Sequence, residues 1–126
     1  MVRSKKPYGS WPSTISAELI TRAAPSLNFV QSYDDALYWV EARPWEAGRS
    51  VIMRRDSSGN ISNLLPVPFS HYSKVHEYGG MAYALDNKNL YFVNAADQRI
   101  YKLPLKSKGT PQAITVEGPW LSLIHI

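Results

Sequence analysis

The chain contains no cysteine among its 126 residues. Neither a disulfide framework nor thiolate chemistry is open to it, which is compatible with a reducing cytoplasm, the compartment expected here. Long apolar runs are missing too. None approaches the roughly 20 residues that a membrane-spanning helix needs. No apolar h-region follows the basic start, so neither a secretory signal nor a membrane partner is expected. Clustered charge is scarce. The net charge is +4, yet only Arg3, Lys5 and Lys6 stand together. Other basic residues alternate with acids such as Glu41, Asp56, Glu77 and Asp97. A nucleic-acid face gathers Lys and Arg on one side, so no nucleic-acid partner is expected. The sequon Asn60-Ile61-Ser62 stands without any other mark of secretion.

Catalytic signatures are equally sparse. No G-x-S-x-G nucleophile elbow occurs. His71, His76 and His125 are the three histidines. His76-Glu77 continues as Tyr78-Gly79-Gly80, which excludes H-E-x-x-H. A metal held by His71 and His76 would need more ligands than their surroundings supply. No metal, cofactor or catalytic residue is therefore expected within the chain.

What is present is material for a sheet-rich core. Hydrophobic residues make up 44%, with eight Tyr and four Trp, and nine Pro and seven Gly punctuate the chain. Such a composition favours many short elements joined by turns, in one small domain or part of a larger one. Residues 1–25 read as an arm with a short helix. The helix is expected over 13–24, capped by Ser13 or Thr14, with Ile15, Leu19 and Ile20 on one face and Pro25 ending it. β signals follow: strands over 26–31, 36–42, 49–56 and 61–66, joined by short turns. The pattern then repeats over 79–86, 90–95, 100–105 and 112–116. Leu37-Tyr38-Trp39-Val40 aligns with Leu90-Tyr91-Phe92-Val93, and Val51-Ile52-Met53 with Ile100-Tyr101-Lys102. The offset of about 50 residues suits propeller blades. The second strands are apolar at consecutive positions, so both of their faces are expected to be covered.

The fold class expected is all-β: about two four-stranded antiparallel blades of an incomplete β-propeller, preceded by the arm and helix. Residues 26–66 form the first blade, 67–78 the connection and 79–119 the second blade. Residues 120–126 are expected to be a non-native tail. The final "LSLIHI" matches the translation of a transposon-derived adapter used in library preparation. Stacked blades need neighbours on both sides, so poor stability is expected of two blades alone.

"PYGSWPSTISAELI" (7–20), "YWVEARPWEAGRSVIMRRD" (38–56), "VHEYGGMAYAL" (75–85) and "YFVNAADQRIY" (91–101) together, in this order and spacing, resemble the start of the propeller in bacterial prolyl oligopeptidase-family serine peptidases. The nearest branch is the dipeptidyl aminopeptidase/acylaminoacyl-peptidase type. The likeness runs from Lys6 to about Pro119. Thr14 stands where that pattern has a second Pro, and Met81 where it has a third small residue. The resemblance implies an α/β-hydrolase domain, absent from these residues, whose Ser, His and Asp cleave short peptides or acylated substrates. It implies that the propeller restricts access to that domain, with peptides as partners of the full-length protein. It also places His76, Glu77 and Tyr78 near a channel rim, as substrate-gate or inter-blade residues. A non-enzymatic peptide-binding propeller is the alternative reading. Trp39 and Trp45 are expected to pack in core and edge positions.

Overall fold

A computed structural model describes residues 5–22, 24–75, 80–107 and 109–120, the side chain of Thr21 left aside. Two four-stranded antiparallel meanders carry almost all of the order. The first contains β1 (Ser26–Tyr33), β2 (Ala36–Arg43), β3 (Arg49–Arg55) and β4 (Ile61–Asn63). The second contains β5 (Tyr83–Leu85), β6 (Asn89–Val93), β7 (Ile100–Pro104) and β8 (Gln112–Ala113). The all-β expectation and the division into two four-stranded sheets are both borne out.

Turn chemistry explains where the strands reverse. Asp34 and Asp35 both take positive φ, 48° and 57°. Two consecutive left-handed residues match the right-handed twist of the flanking strands, and Asp tolerates that conformation better than most residues. β1 and β2 therefore run right up to this two-residue turn. Between β5 and β6, the Asp86 carboxylate accepts from the amides of Lys88 (2.7 Å) and Asn89 (2.6 Å). Asp56 performs the same service for the amide of Asn60 at 2.9 Å, closing the β3–β4 turn. Near the middle of β1 the register shifts between Asn28 and Gln31. Phe29, at φ 53°, absorbs the extra residue as a bulge.

The core lies between the two sheets. Ala36, Tyr38, Val40 and Ile52 from the first sheet meet Tyr83, Leu90, Phe92 and Leu103 from the second. Within each set the residues are alternate along a strand or directly paired across strands: Val40 with Ile52, Phe92 with Tyr83, Leu90 with Leu103. Each set thus occupies one sheet face, as a period of two requires. Phe69, from the connection between the sheets, closes the aromatic cluster. It meets the rings of Phe92 and Tyr101 edge-on at 5.9 and 5.0 Å.

Several expectations are corrected. α1 spans Ala17–Thr21, and Ser16, not Ser13 or Thr14, caps it by accepting from the Leu19 amide at 3.1 Å. Ser13 bonds instead to the amide two residues on, Ile15, which holds a turn rather than starting a helix. Ile15, Leu19 and Ile20 are exposed, so no buried face lengthens this helix. The inner and outer strands of the second sheet are shorter than expected, because only Tyr83–Leu85 and Gln112–Ala113 pair fully. The third-strand alignment moves by one residue. Trp39 pairs with Met53 and Phe92 with Tyr101, so Ile52 corresponds to Ile100, Met53 to Tyr101 and Arg54 to Lys102. Such a slip exchanges the two faces of a strand. Finally, β2 is not covered on both sides. Ala36, Tyr38 and Val40 are buried, while Leu37 is 40% exposed. The first sheet has a neighbour on one face alone among the described residues. The tail 121–126 lies outside them.

Candidate functional site

Antiparallel meanders place alternate connections at opposite ends of a sheet. One end carries the β2–β3 loop, the connection from β4 to β5, the β6–β7 turn and the arm entering β1. The other end carries turns alone. The first end holds Arg43, Glu46, Arg49, His71 and Asp97, and in the sequence His76, Glu77 and Tyr78 fall between β4 and β5. Those three residues lie outside the described residues.

The β2–β3 loop is built rigid. Pro44–Glu46 forms one 3-10 turn, after which Ala47 and Gly48 take positive φ of 54° and 76°. The Gly48 amide returns to the Arg43 carbonyl at 3.0 Å. An ion network braces this path. Arg43 Nε donates to Glu41 Oε1 at 2.7 Å and Arg43 Nη1 to Glu46 Oε1 at 2.9 Å. Arg49 Nε donates to Glu46 Oε2 at 2.6 Å, and its Nη1 to the carbonyls of Leu65 and Phe69. Arg49 thus ties the loop to the inter-sheet connection. The hydrogen bond to Glu41, helped by that to Glu46, holds the Arg43 guanidinium above its ordinary range. Donation from Arg49 and Arg43 holds the Glu46 carboxyl below its own. Trp45 projects from this braced loop, 59% exposed, so it is not the packed residue expected. It borders an open cleft of about 740 Å³ together with Leu19, Arg22, Ala24, Pro25 and Pro44.

The inter-sheet connection is stitched to both sheets. The His71 amide donates to the Ser50 carbonyl of β3 at 2.8 Å, and His71 bridges to Asn94 beyond β6. Ser70 Oγ accepts from the Ser50 amide at 3.0 Å, while the Ser70 carbonyl accepts from the Ala95 amide at 2.7 Å. Gln98 is buried. Its amide nitrogen donates to the carbonyls of Tyr72 and Ala95, and its oxygen accepts from the Lys74 amide at 2.7 Å. Asp97 accepts from Asn94 Nδ2, from the Arg99 amide and from the Tyr101 hydroxyl at 2.6 Å. These hydrogen-bonding groups serve one another, the signature of a structural web.

His71 departs from that rule. It is 2% exposed, its ring lies edge-on to Tyr83 at 5.8 Å, and Nε2 has no partner. Burial pulls its pKa down from 6.5 to about 4, so the ring is neutral at pH 7. No group of three or more His, Cys, Asp or Glu among the described residues is arranged to hold a metal ion. No helix among them is long and apolar enough to cross a membrane.

Sequence reasoning passed over the Arg43–Glu46–Arg49 network, although the R-x-x-E-x-x-R spacing was there to read. It had no route to the web of Ser50, Ser70 and Asn94, where Ser50 meets Ser70 across 20 positions and Ser70 meets Asn94 across 24, pairs that only the fold creates.

Comparison with known proteins gives one consistent outcome. The chain is similar to a puromycin-hydrolyzing peptidase of Mycobacterium tuberculosis, with 36% identity and a TM-score of 0.79 over 90% of its length. It is also similar to a puromycin hydrolase, with 32% identity and a TM-score of 0.72 over 90%. A puromycin hydrolase complexed with PGG matches 86% of the chain at 32% identity and a TM-score of 0.69. The chain spans 18% of the length of the first two and 17% of the third. No protein-family model matches, nor does any curated protein.

Proposed function

We propose that the chain is a two-blade part of the propeller of a prolyl oligopeptidase-family serine peptidase, and that it shapes access to a hydrolase domain without carrying the chemistry itself. The observation that carries this is the likeness to puromycin-hydrolyzing peptidases across 90% of the chain at 36% identity. Identity at that level, with a TM-score of 0.79, goes beyond a shared sheet architecture. The sequence agrees with the division of labour, since it has no nucleophile elbow. The substrate class that follows is an aminoacyl or short peptidyl amide, puromycin among them, with the acylaminoacyl and dipeptidyl specificities as narrower forms of it.

Within this reading the braced loop has a role. The rigid β2–β3 loop presents Trp45, and the C-terminal end of α1 presents Arg22, beside an open cleft. His76, Glu77 and Tyr78 stand in the sequence between β4 and β5. Glu77 would attract the amino terminus of an entering peptide. His76 and Tyr78 would join the rim between blades.

The test is a chimera. Residues 26–119 replace the matching piece of a puromycin-hydrolyzing peptidase, and hydrolysis of puromycin is measured. A folded chimera that still hydrolyses puromycin is expected, and Glu77→Gln in it should raise KM more than it lowers kcat. A chimera that folds, binds an active-site serine probe and yet admits no substrate would count against the reading.

A further inference from the structure

We propose that the seam between the two sheets, at the end that carries turns alone, binds a free α-amino acid through Arg54 and Asp34. Tyr38 and Arg54 are directly paired across β2 and β3, so both side chains lie on the face that meets the second sheet. Tyr38 is buried in the core there. The Arg54 guanidinium stands over its ring at 6.0 Å, and Arg54 Nε is buried without a hydrogen-bond partner. Arginine is seldom buried unless paired, and its five donors can be satisfied by acceptors alone. Yet the ion pairs among the described residues all belong to Arg43 and Arg49. Beside Arg54 lies a cavity of about 50 Å³, bordered also by Tyr33, Asp34, Asp86, Asn87 and Lys106. At about 10–15 Å³ for each water, it has room for a few waters or one carboxylate group. Tyr33, Asp34, Asn87 and Lys106 also line an open hollow of about 480 Å³, which forms its mouth.

The walls select the ligand by charge. Arg54 and Lys106 are cations, Asp34 and Asp86 anions, so a plain anion meets two carboxylates and a plain cation meets two positive groups. The carboxylates are not equally free. Asp86 is committed to its own turn, accepting from the amides of Lys88 and Asn89 and from the Tyr91 hydroxyl at 2.8 Å. Asp34 has no hydrogen bond or ion pair from its side chain among the described residues. A zwitterion therefore meets an unpaired charge of each sign. Its carboxylate takes two donors along one edge of the Arg54 guanidinium, Nε and an Nη, with Lys106 alongside. Its ammonium faces Asp34 at the mouth, and its side chain points out through the hollow. The frame is already built. The Tyr33 hydroxyl donates to Asn87 Oδ1 at 2.6 Å, tying the turns of the two sheets together. The Leu105 amide donates to the Lys88 carbonyl at 2.7 Å. A preformed site loses little ordering entropy on binding. Both walls lie within the described residues, so the site depends neither on further blades nor on the peptidase reading.

Titration of the nitrogen-15-labelled chain with L-alanine tests this, read by NMR at Arg54 Nε–H and at the Asn87 side-chain amide. Both resonances should move and saturate, with a Kd of about 1 mM for so small a ligand. N-acetyl-L-alanine lacks the ammonium and L-alaninamide lacks the carboxylate, and each should bind at least about tenfold more weakly. Asp34→Asn, which suits the positive φ of this turn, should weaken L-alanine about tenfold and erase its advantage over N-acetyl-L-alanine. Arg54→Gln should abolish the Asn87 response to L-alanine. Far-UV circular dichroism checks that each chain is folded. Where the isolated chain or a variant is not, calorimetry makes the same comparisons in the chimera carrying residues 26–119, its active-site serine blocked by a covalent probe. No movement at Arg54 with L-alanine up to about 20 mM, well above the expected Kd, overturns the proposal. So does N-acetyl-L-alanine binding as tightly as L-alanine, the mark of a plain anion site, or an undiminished response in folded Arg54→Gln.

Discussion

Leu37 and Leu90 hold the same ladder position in successive sheets, yet the fold treats them oppositely. Replacing each by Ala reads that difference as free energy. Leu90 is fully buried, with Leu103 opposite and Phe92 two residues on. Truncation there removes a buried side chain and leaves a cavity, at a cost of about 2–5 kcal/mol. Leu37 is 40% exposed. Only part of its burial is lost and water fills the space, so its truncation costs about 1 kcal/mol or less. The assay is urea unfolding of both variants, followed by tryptophan fluorescence at concentrations low enough to keep the chain monomeric. With a slope of roughly 1–2 kcal/mol per molar for a domain of this size, the two midpoints should differ by about 0.5 M or more. If total stability sits near the low end of about 5 kcal/mol, Leu90→Ala already populates unfolded chain without urea. Equal losses at the two positions would refute the reasoning, because the outer face of the first sheet would then be closed.

Acid should act through His71. Its folded pKa, about 4, lies below the ordinary 6.5, so the unfolded chain binds the proton first. The stability that this neutral burial contributes is complete above pH 6.5 and falls as pH drops from 6.5 to 4, by about 3 kcal/mol in all. His71→Gln should flatten the difference in urea midpoint over that window, and parallel profiles for the two chains would contradict the assignment. Glu46→Gln should leave Arg43 and Arg49 without their shared carboxylate and speed proteolysis at residues 44–48. Since the Glu46 carboxyl is held below its ordinary range, the wild-type loop should keep its protection through neutral pH and lose it in acid, and a cleavage rate indifferent to both changes would disprove the brace. The purified chain should not hydrolyse puromycin or peptide amides, and turnover that follows the chain through purification would show a nucleophile that the sequence does not reveal.

The strands of the meander were legible because β-branched and aromatic runs alternate with Asp, Asn and Gly turns. Register was less so. Val51-Ile52-Met53 and Ile100-Tyr101-Lys102 are apolar enough to align in more than one way, and only the pairing of Met53 with Trp39 and of Tyr101 with Phe92 decides between them. The helix was overextended for a related reason. Ile15, Leu19 and Ile20 have helical spacing, but an apolar stripe lengthens a helix only where something packs on it. Burial of β2 was misjudged because Leu37-Tyr38-Trp39-Val40 describes a strand suited to two neighbours, and the described residues supply one. The candidate site was legible only in part. The charge spacing of Arg43, Glu46 and Arg49 is local. The environment of His71 depends on Ser50, Tyr83 and Asn94, which no local pattern brings together.

A single long DNA read of the parent gene, running through the codons for Trp120 to Ile126, tests the peptidase reading most directly. The expected frame leaves "LSLIHI" behind as foreign sequence and continues into further blade-like strand repeats. It then reaches a G-x-S-x-G elbow followed by Asp and His. A frame that reads "LSLIHI" in the native gene and stops there would contradict the assignment to a serine peptidase.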